Sequence, residues 1–182
     1  MNQFTSESVE YDPFAQATVE RVFPTSEAQR EVWLADRLSE QASLSFNESV
    51  QLRCRGELDQ GALRAALRGL LQRHEALRAT VGPDGTELLI GAGEASEIAT
   101  FDLRHLSHAE RDEAIARAAQ SAVETPFDLA RGPLFRAALY RLADDEHVLL
   151  LTAHHIVCDG WSWGVMVEDL GGLYAEQLGL AP

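Results

Sequence analysis

The segment that most limits the fold is Val148-Leu149-Leu150-Leu151, an unbroken apolar run leading through Thr152 and Ala153 into a polar stretch beginning at His154. A strand with one wet face alternates apolar and polar residues, so a continuous run needs cover on both faces. The chain must therefore supply further strands and at least two helical layers around it. Residues 134–142 pair with 147–152 as a hairpin across Ala143-Asp144-Asp145-Glu146. Glu48 to Arg55 alternates, with Val50, Leu52 and Cys54 on one face and Gln51, Arg53 and Arg55 on the other. Residues 77–81 and 86–90 flank Gly82-Pro83-Asp84-Gly85, a turn sequence, and read as a second hairpin. A glycine–alanine stretch leads to a short strand over 98–103.

Four helices are predicted from caps and periodicity. The first opens at Thr25 or Ser26, with Val32, Trp33 and Leu38 inward. The second is capped by Asp59 and carries Leu63, Leu67, Leu70 and Leu71 at helical spacing, with Arg73 and His74 at its negative end. The third is capped by Ser107, with Ile115, Ala118, Ala119 and Val123 on one stripe. The last runs from Trp161 to about Leu178. This order predicts an α/β fold, a mixed β-sheet layered with helices.

At 182 residues the chain can bury one sizeable core. Fifteen basic residues oppose 29 acidic ones for a net charge of −14, and every basic residue is Arg. With no Lys, Schiff-base, pyridoxal-phosphate and P-loop chemistry are excluded. The acidic balance argues against nucleic acid and anionic membrane as partners. Residues 1–22 are polar and acidic without a secretory signal pattern, and read as a flexible leader or interdomain linker, with 23–182 as the folded unit. No stretch has the length of a membrane helix. Cys54 and Cys158 are expected as free thiols in a cytoplasmic chain.

Ala153-His154-His155-Ile156-Val157-Cys158-Asp159-Gly160-Trp161-Ser162 spans the exit of the buried strand and the start of the last helix. Adjacent histidines there point in opposite directions, so one of them can face a cleft. An imidazole can take a proton from an attacking amine or hydroxyl. Asp159 can shape the loop or cap the helix, and Gly160 permits an unusual backbone angle. A metal set of His154, His155 and Asp159 is set aside, because adjacent histidines seldom reach one ion. Spacing alone leaves catalysis and packing both open.

The run His154-His155 to Asp159-Gly160 resembles the HHxxxDG signature of nonribosomal peptide synthetase condensation domains, in the chloramphenicol-acetyltransferase-like superfamily. Arg73-His74-Glu75-Ala76-Leu77-Arg78 is similar to the family's RHExLR motif. Ser26-Glu27-Ala28-Gln29 with Trp33 resembles its N-terminal SxAQ…W motif. The three stand in family order. Glu31 stands where Arg is usual, Ala79 and Val81 where Thr and Phe are, and Cys158 where Ser is common. The family domain has two lobes of similar fold, so the resemblance implies the N-terminal lobe, as a truncated chain or fragment.

The resemblance further implies that His155 is the catalytic imidazole in amide formation, either accepting the amine's proton or positioning the amine and balancing charge in the tetrahedral intermediate. The bond would join a carrier-bound acyl or peptidyl thioester to a carrier-bound amino acid. His154, Asp159 and Gly160 would support it, and Asp159 would pair with Arg78 or, second, Arg73. Gly160, Trp161 and Ser162 are candidates for substrate or oxyanion contact; Trp161 and Trp163 also read as core or lobe-interface aromatics. No cofactor or metal is implied on the lobe, since the substrates ride on phosphopantetheine arms. The implied partners are upstream and downstream carrier domains, the second lobe and adjacent synthetase domains. An isolated lobe is expected to be inactive and prone to self-association. Competing readings are an epimerization domain, a coenzyme A-dependent HxxxD acyltransferase and a non-catalytic carrier-docking module.

Overall fold

A computed structural model describes residues 19–91 and 98–180. Residues 1–18 of the expected leader and most of the glycine–alanine stretch lie outside the described residues. In chain order the elements are β1 (Val19–Pro24), α1 (Glu27–Asp36), α2 (Glu40–Leu44), β2 (Asn47–Arg55) and α3 (Gln60–Arg73). They continue as β3 (Ala79–Val81), β4 (Glu87–Gly91), β5 (Ala99–Asp102), α4 (His108–Glu124), β6 (Phe135–Arg141), β7 (Glu146–His154) and α5 (Gly160–Gln177). A 3-10 turn covers Glu75–Arg78.

The long apolar strand β7 lies between β2 and β6 in a four-stranded sheet of order β2-β7-β6-β5. Its neighbours are antiparallel, and β5 joins β6 in parallel, which makes the sheet mixed. Leu149, Leu151 and Ala153 point into a core shared with Leu63, Leu67 and Leu70 of α3 and Met166 and Leu170 of α5. The alternate residues Val148, Leu150, Thr152 and His154 are buried on the other face, where α4 packs across β2 and β7. Both faces are covered, as the unbroken run requires.

Instead of one sheet there are two: β1-β4-β3 form a separate antiparallel sheet. Ala79, Val81, Leu88 and Ile90 of this sheet bury against Phe127, Leu129 and Leu134, making a second core. Strand β1 replaces the last residues of the expected leader, and it starts four positions before the boundary placed at Phe23. Every residue of β1 is exposed; backbone pairing to β4 alone makes it a strand, so no apolar alternation announces it.

The first helix differs in a second respect. It ends at Asp36, and Leu38 is 81% exposed rather than inward. Val32 and Trp33 pack against the second core as expected. Trp33 lies flat on Gly85: a Cβ there would fall 2.4 Å from the indole, and the glycine φ is +73°. Thr25 Oγ1 donates to Gly85 O at 2.8 Å, so the hairpin turn fixes where α1 begins.

Leu151, fully buried in the central strand, is the sharpest check on this packing. Leu151→Ala should lower the unfolding free energy by about 2–5 kcal/mol in a denaturant titration. A loss below about 1 kcal/mol would show that β7 is not the covered central strand.

Candidate active site

The loop between β7 and α5 is held by both cores at once. Ile156 is buried in the second core and Cys158 in the first, while Val157 packs against both. Backbone bonds from His154 N to Leu134 O and from His155 N to Phe46 O carry the sheet ladder into the turn. Gln29 of α1 donates from Nε2 to Ile156 O at 3.0 Å. The same side chain accepts from Ser26 N, and Ser26 Oγ accepts from Gln29 N. This capping box explains the Ser-x-x-Gln spacing: one glutamine caps α1 and fastens it to the histidine loop.

The two histidines diverge, as expected for neighbours at a strand end. His154 is fully buried between Phe46 and Phe127. Its Nδ1 accepts from Ile156 N at 3.2 Å, so the proton of the neutral ring sits on Nε2, which points to Asp36 Oδ1 at 3.6 Å. Burial, against the opposing pull of Asp36, pushes its pKa down to about 4. His155 is turned to the opposite side and is partly exposed; it lines a cleft of about 390 Å³ with Ser26, Gln29, Val32, Asp159 and Ser162. Its Nδ1 is 2.9 Å from Glu48 Oε1, although off the line of a well-formed hydrogen bond. Glu48 Oε2 accepts from Trp163 Nε1 at 3.0 Å.

Asp159 is the N-cap of α5. Its Oδ1 accepts from Ser162 N at 2.8 Å and Ser162 Oγ at 2.6 Å, and these bonds hold its carboxyl below the usual carboxylate range. Burial, reinforced by the nearby Glu48 and Asp159 charges, pushes the Cys158 thiol up to about 12, so it stays protonated. Cys54 and Cys158 are free thiols. Among the described residues no three His, Cys, Asp or Glu side chains converge as a metal site requires.

Residues 19–179 match a family model described as "Condensation domain". The chain belongs to the condensation-domain family. Chondramide synthase cmdD of Chondromyces crocatus is 40% identical over 155 residues, covering 84% of this chain and 4% of that protein. A dimodular nonribosomal peptide synthase of Bacillus subtilis is 43% identical over 154 residues, covering 85% of this chain and 6% of that protein. The starter condensation domain of rhizomide synthetase RzmA superposes with a TM-score of 0.78 at 27% identity, over 89% of this chain and 40% of that one. The chain thus spans a small part of its curated relatives and fits the N-terminal lobe of a condensation domain. No helix among the described residues is long and apolar enough to cross a membrane.

Within this condensation lobe the arginines of the second motif do not reach Asp159. Arg73 pairs with Asp169 of α5 at 2.6 Å, and His74 Nε2 meets the same carboxylate at 2.6 Å, so the pair fastens α3 to α5. Arg78 turns into the smaller sheet, donating to Leu71 O and Gly91 O and pairing with Glu20. The expected Asp159–Arg78 or Asp159–Arg73 lock is therefore replaced by the local Asp159–Ser162 cap, which a residue three positions away satisfies without a long side chain. Gly160 takes no left-handed angle and a Cβ on it would meet nothing within 4 Å, so the expected backbone demand is absent. Trp161 is 83% exposed, whereas Trp163 is a core residue. Glu31 is exposed on α1.

Sequence reasoning missed Glu48, Asp36 and the bridging role of Gln29. Gln29 stood inside a recognised motif; Glu48 opened an alternating strand and had no signal except the register that sets it opposite Ala153, on the face of β2 under α5.

His154 generates a pH test. Its pKa falls from 6.5 to about 4 on folding, so the unfolded chain takes up the proton first. The contribution to stability is whole above the unfolded value and is lost as pH falls toward the folded one. Between about pH 7 and about pH 4.5, the chain should lose roughly 2 kcal/mol more stability than the His154→Asn variant in urea titrations. Parallel losses in both proteins would mean that His154 is not buried neutral.

Proposed function

We propose that this chain supplies the proton-accepting wall of a condensation domain that joins an acyl or peptidyl thioester to an amine, both tethered to carrier domains by phosphopantetheine arms. The observation that carries this reading is the placement of His155: partly exposed at a cleft, on a turn gripped by two cores. A general base must hold its lone pair where the reacting proton appears, and a rigid support reduces the cost of keeping it there.

In the proposed reaction the amine nitrogen attacks the thioester carbonyl while His155 takes its proton. The tetrahedral intermediate then collapses, the C–S bond breaks, and the leaving thiolate of the arm takes the proton back from His155, which returns the imidazole to its neutral state. Asp159 and Ser162 act on the loop rather than on substrate, since Ser162 N–H and Oγ–H both donate to Asp159 Oδ1 and cap the helix. The second lobe and the carriers are the partners that complete the cleft. Exposed Trp161 fits contact with that lobe better than contact with substrate. Similarity to multidomain synthetases supports neighbouring synthetase domains in a cytoplasmic assembly.

The test is to load both carriers of the complete synthetase and follow product mass. A ligated amide is expected, whereas an epimerised aminoacyl thioester of unchanged mass, product formed only from coenzyme A thioesters, or no chemistry would each overturn the reading. The lobe alone, given the same carriers, should form no amide.

A further inference from the structure

His155 Nδ1 is shielded from solvent and makes no well-formed hydrogen bond; the carboxylate oxygen Glu48 Oε1 lies 2.9 Å from it, off the donor line. Other charged or titratable groups near this ring are Asp159, whose Oδ1 is engaged by Ser162, His154, whose Nδ1 is engaged by Ile156 N, and Cys158, whose thiol is kept protonated by burial. The second oxygen of Glu48 is occupied by Trp163 Nε1–H. The Glu48 carboxylate therefore has one oxygen for the indole and one for the imidazole.

We propose that Glu48 is a positioning residue that selects the tautomer of His155: its carboxylate oxygen, 2.9 Å from Nδ1, draws the ring proton to that nitrogen by charge, leaves the lone pair on Nε2, and is itself oriented by Trp163. This rests on the reading of His155 as the working imidazole, and it specifies which nitrogen works. A neutral imidazole has one donor and one acceptor nitrogen, and the fixed partner of one decides the state of the other.

The arrangement makes an isosteric substitution informative. In Glu48→Gln, one amide oxygen replaces two equivalent oxygens. Trp163 can only donate and claims that oxygen, so the amide NH2 faces His155 Nδ1 and the ring proton must move to Nε2. In the double variant Glu48→Gln/Trp163→Phe the amide is free to turn its oxygen to His155, and the original tautomer returns. A purely structural role for Glu48 would leave the tautomer unchanged in each.

Long-range nitrogen–proton NMR spectra of the nitrogen-labelled chain, recorded under alkaline conditions, read the tautomer directly. Circular dichroism checks that each variant is folded. The expected result is the Nδ1–H form in the unsubstituted chain, the Nε2–H form in Glu48→Gln, and Nδ1–H again in the double variant. An Nε2–H form in the unsubstituted chain, or no change in Glu48→Gln, overturns the proposal; a folded double variant that stays Nε2–H overturns the part given to Trp163. In the complete synthetase, Glu48→Gln should slow amide formation by roughly 10²-fold or more, the usual share of a positioned base. If His155 proves dispensable for turnover, the catalytic reading fails while the tautomer measurement still stands or falls by itself.

Discussion

The structure depends on burying β7 from both sides. Eight of its nine residues are buried, and this obliges α3 and α5 to lie on one face and α4 on the other. A strand so enclosed has no freedom to slip, because a shift by one residue would exchange its two buried faces. The first residues beyond it inherit that rigidity. Ile156 enters one core and Cys158 the other, so His155 is displayed on a short span anchored at both ends. Packing thereby fixes where the imidazole is displayed, which is the positioning that the proposed role of His155 needs.

The three sequence motifs are parts of one mechanical arrangement. Ser26 and Gln29 cap α1, and Gln29 reaches the carbonyl of Ile156. Arg73 and His74 share Asp169 and fix α5, the helix that Asp159 begins. Trp163, on the same helix, holds Glu48 beside His155. Most of these residues act by placing backbone. That explains how the chain tolerates departures such as Ala79 and Val81, which are small or branched apolar residues buried in the second core.

Much of this was legible because it is local. Ser26, Asp59, Ser107 and Asp159 all cap helices as their spacing indicated, and the β6–β7 hairpin was visible in its apolar runs. The divergence of His154 and His155 followed from strand geometry. What escaped is what depends on distant partners. Strand β1 has no buried face, so only its pairing with β4 defines it. Helix α2 has five residues, too few for a periodic signal. The expectation of an Arg lock for Asp159 rests on the forked guanidinium of an RHExLR arginine, which can grip a carboxylate; Ser162 instead meets that carboxylate within one helical turn. Glu48 became visible only when β2 was registered against β7 beneath α5.

The most direct measurement is the single-turnover rate of amide formation in the complete synthetase with both carriers loaded, for His155→Ala against the unsubstituted enzyme, alongside carrier affinity. The account requires the chemical step to slow by about 10²–10⁴-fold while the carriers bind as before. An unchanged single-turnover rate would contradict it.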